Sequence, residues 1–472
     1  MKILAIDQGT TSTRGMVTDS ADTSVHMVHS VRHAQHFPQP GWVEHDAREL
    51  LDNVRACISA AGPVDAIGLA NQGESCLAWH AGTGEPLSPV IVWQDNRTAE
   101  RVDGIARDGG AERIAELSGL PADAYFSASK LHWIIQHCSA ARDALRTGHL
   151  RLGTTDAYFL DRLTGNFATD VTTASRTSLM NIRTGRWDED LCGLFGVPAD
   201  CLPEIRPTIG PFGTIRGVPV TASAVDQQAA LYGHGCRRPG DAKITFGTGA
   251  FVLAVTGERI ISASERGLVP TVGWASSAGR TYAVDGGVYD AGAAVEWVMR
   301  IGLLSKVEEL DRFEALPAVD RGLVFVPALS GLACPHWDRT AGALWIGMSG
   351  ATSRVDMLQA LLEGIALRTA EVLEAMDAEI ALAQGIPIDG GLSRSRYLVQ
   401  FLADVTGRTM IVSDDGERTA WGIAQMAAEG AGTSLGEYPS ACTSYRPDPG
   451  VDRHGRIDRF RRAIAMSSGW RR

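Results

Sequence analysis

The chain has 472 residues, with 44 Lys or Arg against 55 Asp or Glu for a formal net charge of −11, and is 44% hydrophobic and 21% charged. These proportions exclude disorder as the main state, and the length suits two or three domains of roughly 100–200 residues. The acidic balance argues against a nucleic-acid partner, and no apolar run reaches the ~20 residues that span a bilayer, so no membrane insertion is expected.

In chain order, Lys2 to Asp7 form a short apolar run, followed by Gln8-Gly9-Thr10-Thr11-Ser12-Thr13-Arg14 and a second strand-like stretch from Gly15 to Thr18. That is strand, small-residue turn, strand: a hairpin. A charge at Asp7 comes too soon for a signal-peptide core, so a cytoplasmic location is expected. The apolar run Ala66-Ile67-Gly68-Leu69-Ala70 leads to Glu74, and Val218-Pro219-Val220-Thr221 leads to Asp226-Gln227-Gln228 at a strand-to-helix junction. A second hairpin follows, Lys243 to Phe246, Gly247-Thr248-Gly249, then Ala250 to Val255. One hairpin opens the chain and the other opens its second half, which predicts two similar α/β domains with a boundary near 232–242, where Gly233, Gly235, Pro239 and Gly240 cluster. Beyond it, Ser353 to Met376 predicts a helix with an apolar face and a capping-box start. Ile386–Asp389 and Met410–Val412 read as strands, and Tyr397–Val405 and Thr419–Glu429 as helices. The eight cysteines include no Cys-x-x-Cys pair and read as buried free thiols.

Several of these places carry chemistry. The opening turn offers backbone N–H groups and three adjacent hydroxyls to a phosphate, with Asp7 set to hold magnesium and Arg14 across the hairpin. No Gly-x-x-x-x-Gly-Lys-Ser/Thr loop exists in the chain. The Gly-x-Gly at 247–249 is followed by a strand, against a dinucleotide fingerprint, but as a partner of the first turn it can clasp a triphosphate from a second domain. For either hairpin a ligand-free polar turn is the competing reading. Asp226 suits a base accepting a hydroxyl proton, with a helix N-cap as the competing reading. Glu74, Trp93 and Tyr125 suit a sugar pocket, against simple core packing.

Together these residues resemble the FGGY carbohydrate kinase family, most closely its members that act on glycerol. The resemblance rests on Asp7-Gln8-Gly9-Thr10-Thr11-Ser12-Thr13-Arg14, Gly41-Trp42-Val43-Glu44-His45-Asp46, Val92-Trp93-Gln94-Asp95, Gly153-Thr154-Thr155-Asp156, Asp226-Gln227-Gln228-Ala229-Ala230 and Asp389-Gly390-Gly391. It implies two actin-like, ribonuclease-H-like domains, 1–235 and 236–472, around an interdomain cleft. The implied activity is ATP-dependent phosphorylation of a terminal hydroxyl of glycerol or a related small polyol, with Mg²⁺; a homodimer is compatible with it. By position, Thr10, Thr11, Ser12 and Arg14 meet nucleotide phosphates, Asp7 lies near magnesium, and Thr248, Gly292, Gly391 and Ser395 contact the nucleotide. Asp226 is the implied general base with Gln227 beside it, and Glu74, Trp93, Tyr125 and Phe251 line the polyol pocket.

The sequence also departs from the family. Glycerol-directed members usually carry Arg immediately before the glutamate, where this chain has Gly73, removing a charged donor worth about 1.5–3 kcal/mol, or roughly 10- to 150-fold in binding. A longer polyol or ketose is therefore the rival substrate, and an actin-like ATPase or binding module the rival of another class. Ser395 replaces a frequent Asn near the adenine. The connection Gly213–Pro219 is shorter than the loop through which some relatives bind a sugar bisphosphate, so that regulation is not expected.

Overall fold

The computed structural model describes residues 1–22, 24–262, 266–311, 313–414 and 416–471. The opening hairpin pairs Lys2–Gln8 with Ser12–Asp19, and Asp7 stands opposite Arg14. Ile3, Leu4, Ala5 and Ile6 are all buried, the mark of a strand covered on both faces. The strand sits inside a six-stranded sheet ordered Thr214–Ile215, Val218–Val225, Ala66–Asn71, Lys2–Gln8, Ser12–Asp19, Val25–Arg32. A tight two-residue turn at Arg216-Gly217, both at positive φ, closes the 214–225 hairpin.

The second hairpin, Ala242–Phe246 with Ala250–Gly257, lies in a seven-stranded sheet. Its order is Val269–Ser276, Gly279–Val288, Ala250–Gly257, Ala242–Phe246, Gly385–Gly390, Thr409–Ser413, Cys442–Tyr445. Outward from the first strand of each hairpin, the two sheets repeat one plan. The hairpin mate and a third strand run antiparallel on one side, and two parallel strands follow on the other. This is the duplication expected from the two hairpins.

The long helix spans Arg354–Asp377 and begins with the expected reciprocal Ser353–Asp356 cap. Its burial goes beyond one apolar face, taking in Gln359, Glu363, Arg368 and Glu371, because strands and helices pack around it. The helix Arg418–Gly430 belongs to the second half of the sequence but covers the first sheet. Trp421, Ile423, Ala424 and Ala427 pack against Ile3, Ala5, Ala66 and Ala70. It also crosses the helix Asp226–Gly233 at backbone contact. A Cβ added at Gly422 would stand 1.8 Å from the Ala229 carbonyl oxygen, and one at Gly233 2.0 Å from that of Arg418.

In the first half, a four-stranded sheet of Glu44–His45, Val90–Ile91, Cys76–His80 and Leu150–Thr154, with its helices, forms an added layer from which Trp93 and Tyr125 project. All eight cysteines are free thiols; six are buried, Cys138 is half-buried and Cys442 is exposed, unlike the buried set expected. Among the described residues no helix is long and apolar enough to cross a membrane.

Candidate active site

The two hairpin turns face one cavity of about 210 Å³. In the first turn Gly9 N–H donates to the Ser12 carbonyl at 3.0 Å, and the Thr10 hydroxyl accepts from the Trp93 indole N–H at 3.0 Å. In the second, Gly247 N–H donates to Gly249 O at 2.9 Å. The start of the helix Gly292–Arg300 is tied to that turn, with Ala291 and Ala293 N–H donating to Thr248 O at 3.1 and 2.9 Å and Gly292 N–H to Gly247 O at 3.1 Å. Only glycine fits at 292, since a Cβ there would lie 2.4 Å from Gly247 O. Gly390, at φ 90°, brings the end of its strand equally close to Phe246 O. These bonds fix the turn against the helix start, and Gly247 and Thr248 face the cavity, with the Thr248 hydroxyl a candidate donor to an anion there.

Thr10, Thr11, Glu74, Trp93, Tyr125, Asp226, Gln227, Thr248 and Phe251 line the cavity, so both halves of the chain contribute. Trp93 meets Tyr125 and Phe251 edge-on, at centroid distances of 5.5 and 6.0 Å, making an aromatic wall across the cleft. Lys130, fully buried, donates to the backbone carbonyls of Trp93 and Tyr125 at 3.1 and 2.8 Å and fixes both. Glu74 adopts φ 51°, a backbone position rarely taken by a non-glycine residue and one that tends to occur at functional sites.

The carboxylates sit in an unusual field. Asp226 opens its helix and accepts from Gln227 N–H at 2.7 Å. Burial, with the charges of Asp7 and Glu74 adding to it and Lys243 opposing, pushes it up to about 7. Burial likewise raises Asp7 to about 7, against the pull of Arg14. Burial also raises Asp389, but His234, bonded to it at 2.8 Å, and Lys243 outweigh that and hold it below the usual range. The fully buried Lys243 donates to Gln227 Oε1 and, at 2.7 Å, to Thr245 Oγ1, both of cavity-lining residues.

Other residues singled out in the sequence stand outside the cavity lining. Asp7 and Ser12 flank the first turn. Arg14 pairs with Glu417 of the second half at 3.0 Å. Gly391 begins the turn after the strand Gly385–Gly390. The Ser395 hydroxyl accepts from Leu398 N–H as the cap of the helix Arg396–Thr406 and donates to Leu310 O at 2.8 Å, so it is engaged within the fold.

Sequence reading missed Arg176, Lys130, Lys243 and Asp285. Arg176 lines the cavity with its Nε on Glu74 at 2.5 Å and Nη2 on Asp285 at 3.0 Å. The environment of Gly73 was missed as well: a Cβ there would stand 2.9 Å from Val225 Cγ1. Gly73→Arg alone is therefore expected to lower kcat/KM for the acceptor by displacing Val225, next to Asp226. Steady-state kinetics of Gly73→Arg beside Gly73→Arg/Val225→Ala checks this, with the second variant recovering part of the loss.

Residues 2–233 match the N-terminal domain, and 242–431 the C-terminal domain, of the FGGY family of carbohydrate kinases. The glycerol kinase of Alkalilimnicola ehrlichii is 41% identical, covering 100% of this chain and 99% of that protein. The glycerol kinase of Haloferax volcanii is 38% identical over 99% of this chain and 98% of its own length. Among solved structures, the ADP complex of Plasmodium falciparum glycerol kinase superposes with a TM-score of 0.88 at 30% identity, covering 99% of this chain and 98% of that one. A xylulose kinase from Rhodospirillum rubrum shares the fold, with a TM-score of 0.84 at 24% identity over 99% and 98% of the two chains.

Proposed function

This chain belongs to the FGGY family of carbohydrate kinases, and from that premise we propose that it transfers the γ-phosphoryl group of ATP to a terminal hydroxyl of glycerol. Its fold is the two-domain, actin-like and ribonuclease-H-like architecture of that family. The observation that carries the proposal is the single cavity in which Asp226, two hydroxyl-bearing turns from different halves and the Trp93–Tyr125–Phe251 wall converge. Full-length similarity to proteins named glycerol kinase supports the choice of acceptor.

In this reading the acceptor lies against Trp93, Tyr125 and Phe251 with Glu74 on its hydroxyls, and Asp226 takes the proton of the attacking hydroxyl as transfer proceeds in line. Thr10, Thr11 and Ser12, with Thr248 and Gly292 opposite, hold the phosphates, Arg14 adds charge at the first turn, and Gly391 and Ser395 lie on the nucleotide side. The donor chemistry also fits magnesium. Asp7 adds to the rise of Asp226, and burial raises both carboxyls despite Arg14 and Lys243, so added positive charge between them would be favourable. Asp7, with water and phosphate oxygens, would hold the magnesium. When bound, Mg²⁺ supplies neutralising charge to the phosphates. Closure of the two halves excludes water, so ATP is not spent on hydrolysis. A cytoplasmic location, where ATP and polyol meet, belongs to the same reading.

The missing guanidinium at Gly73 leaves a second reading in which the acceptor is a longer polyol or ketose, although Val225 occupies the space beside position 73. ADP release with Mg-ATP across glycerol, tetritols, pentitols and ketoses separates the two. Highest kcat/KM on glycerol supports the first; turnover only on a longer acceptor replaces it with the second. Release indifferent to every acceptor leaves an ATPase.

The raised carboxyl of Asp226 sets the pH dependence. A base must be ionised to take a proton, so kcat/KM for the acceptor is expected to rise with pH through about 7 and level off above it. A pH–rate profile from 5.5 to 9 checks this; a rate flat between 5.5 and 8 contradicts it.

A further inference from the structure

We propose that Arg176 is the charged hydrogen-bond donor to the acceptor's non-reacting hydroxyls, in place of a guanidinium at position 73. The inference rests on the polyol-kinase reading above and deepens it.

Arg176 follows the short helix Val171–Ala174, and its side chain is 6% exposed. A guanidinium presents nitrogens in a fixed planar fork, and here two of the three are committed. Nε donates to Glu74, from the first half, at 2.5 Å, and Nη2 forms an ion pair with Asp285, on the strand Gly279–Val288 of the second half, at 3.0 Å. The third, Nη1, is buried and has no hydrogen-bond partner among the described residues. The side chain lines the acceptor cavity beside Glu74, Tyr125, Gln72 and Asp285, and its Cζ lies 5.8 Å from the Tyr125 ring centroid. A buried N–H donor left unpaired is costly, and a hydroxyl oxygen in the cavity is the partner that satisfies it. Glu74 faces the same cavity and accepts hydroxyl hydrogens, so the pair offers one donor and one acceptor, the complement of a diol edge.

The same geometry explains how Gly73 is tolerated. Val225 Cγ1 stands 2.9 Å from where a side chain at 73 would begin, so that wall is apolar and the pocket's guanidinium comes from Arg176 instead. Arg176 touches both halves, through Glu74 and Asp285, so an acceptor bonded to it also ties the closed cleft together.

The test crosses protein variants with acceptor analogues: wild type, Arg176→Met and Arg176→Lys against glycerol, propane-1,2-diol and propane-1,3-diol. Each diol keeps a terminal hydroxyl and lacks one other. Wild type is expected to lose roughly 10- to 150-fold in kcat/KM on the diol missing the hydroxyl that Arg176 holds, the ordinary worth of a charge-assisted bond. The variants should lose a comparable factor on glycerol through KM for the acceptor, with KM for ATP within about threefold, and lose little more on that diol. If variant and diol penalties simply multiply, Arg176 does not touch that hydroxyl and the proposal is overturned. Glycerol and diol binding measured by isothermal titration calorimetry gives the same comparison without turnover. If Arg176→Met does not fold, Arg176→Lys retains a cation between Glu74 and Asp285 but not the third nitrogen, and decides the matter. A wild type with no acceptor-dependent turnover overturns the kinase reading itself, a result distinct from multiplying penalties.

Discussion

Asp226→Asn is expected to lower kcat by about 10²–10⁴-fold while leaving the fold and nucleotide binding intact. The amide keeps an oxygen for the 2.7 Å bond from Gln227 N–H, so the start of the helix Asp226–Gly233 is retained. What is lost is the capacity to take a proton from the attacking hydroxyl. The substitution also removes a carboxylate raised by burial and by Asp7 and Glu74, so the variant should not be less stable at neutral pH. The sign follows from Asp226 standing at about 7 in the fold against 3.8 as the ordinary value. Its protonated form favours the folded state below about 3.8, and that contribution is lost as pH rises through 7. Wild type should therefore lose stability between pH 4 and 7, and Asp226→Asn should lose less. Steady-state kinetics and urea unfolding at pH 5 and pH 8 check the two halves; a variant within threefold of wild-type kcat removes Asp226 as the base.

Gly422→Ala is expected to do comparable damage from a distance. The added methyl would stand 1.8 Å from Ala229 O and 2.7 Å from Gly233 N, both backbone atoms of the helix that Asp226 begins. Rotation of a side chain cannot relieve a clash with backbone, so the two helices must separate. Overpacking of this kind costs typically ~1–3 kcal/mol and occasionally more. The shift also breaks two linked things: the cover over Ile3, Ala5 and Ala70 in the first sheet, and the placement of Asp226. A fall in Tm of several degrees with kcat reduced at least tenfold at 20 °C is the expected pairing. Gly432→Ala, after the same helix and with open space around it, serves as a control, costing only the strain of its positive φ. Wild-type Tm and kcat in Gly422→Ala would contradict the crossing described.

The sequence made some of this legible because the signals were local. Two strand–turn–strand patterns with Gly and Thr at the turns dictated the hairpins, and the spacing of apolar residues dictated the helices Arg354–Asp377 and Arg396–Thr406. The place of the helix Arg418–Gly430 was not legible. Its alanine-rich pattern predicts a helix but not that small residues at Ala66, Gly68 and Ala70 on a distant strand make room for it. Arg176 was invisible for a related reason. Nothing in Ala174-Ser175-Arg176-Thr177 marks a buried cation, and its partner Glu74 lies 102 residues away. Lys130 and Lys243 are alike, burying charges whose purpose lies in the groups they hold. Ser395, aligned by resemblance with a nucleotide contact, also caps the helix Arg396–Thr406, a role for serine that its place before that helix allows.

The most direct test is to follow the phosphorus of Mg-ATP by ³¹P NMR in the presence of the wild-type protein and glycerol. A phosphomonoester resonance growing in equal amount to ADP is expected, absent without glycerol and absent with Asp226→Asn. Inorganic phosphate as the only product, or ADP formed equally without an acceptor, would contradict it.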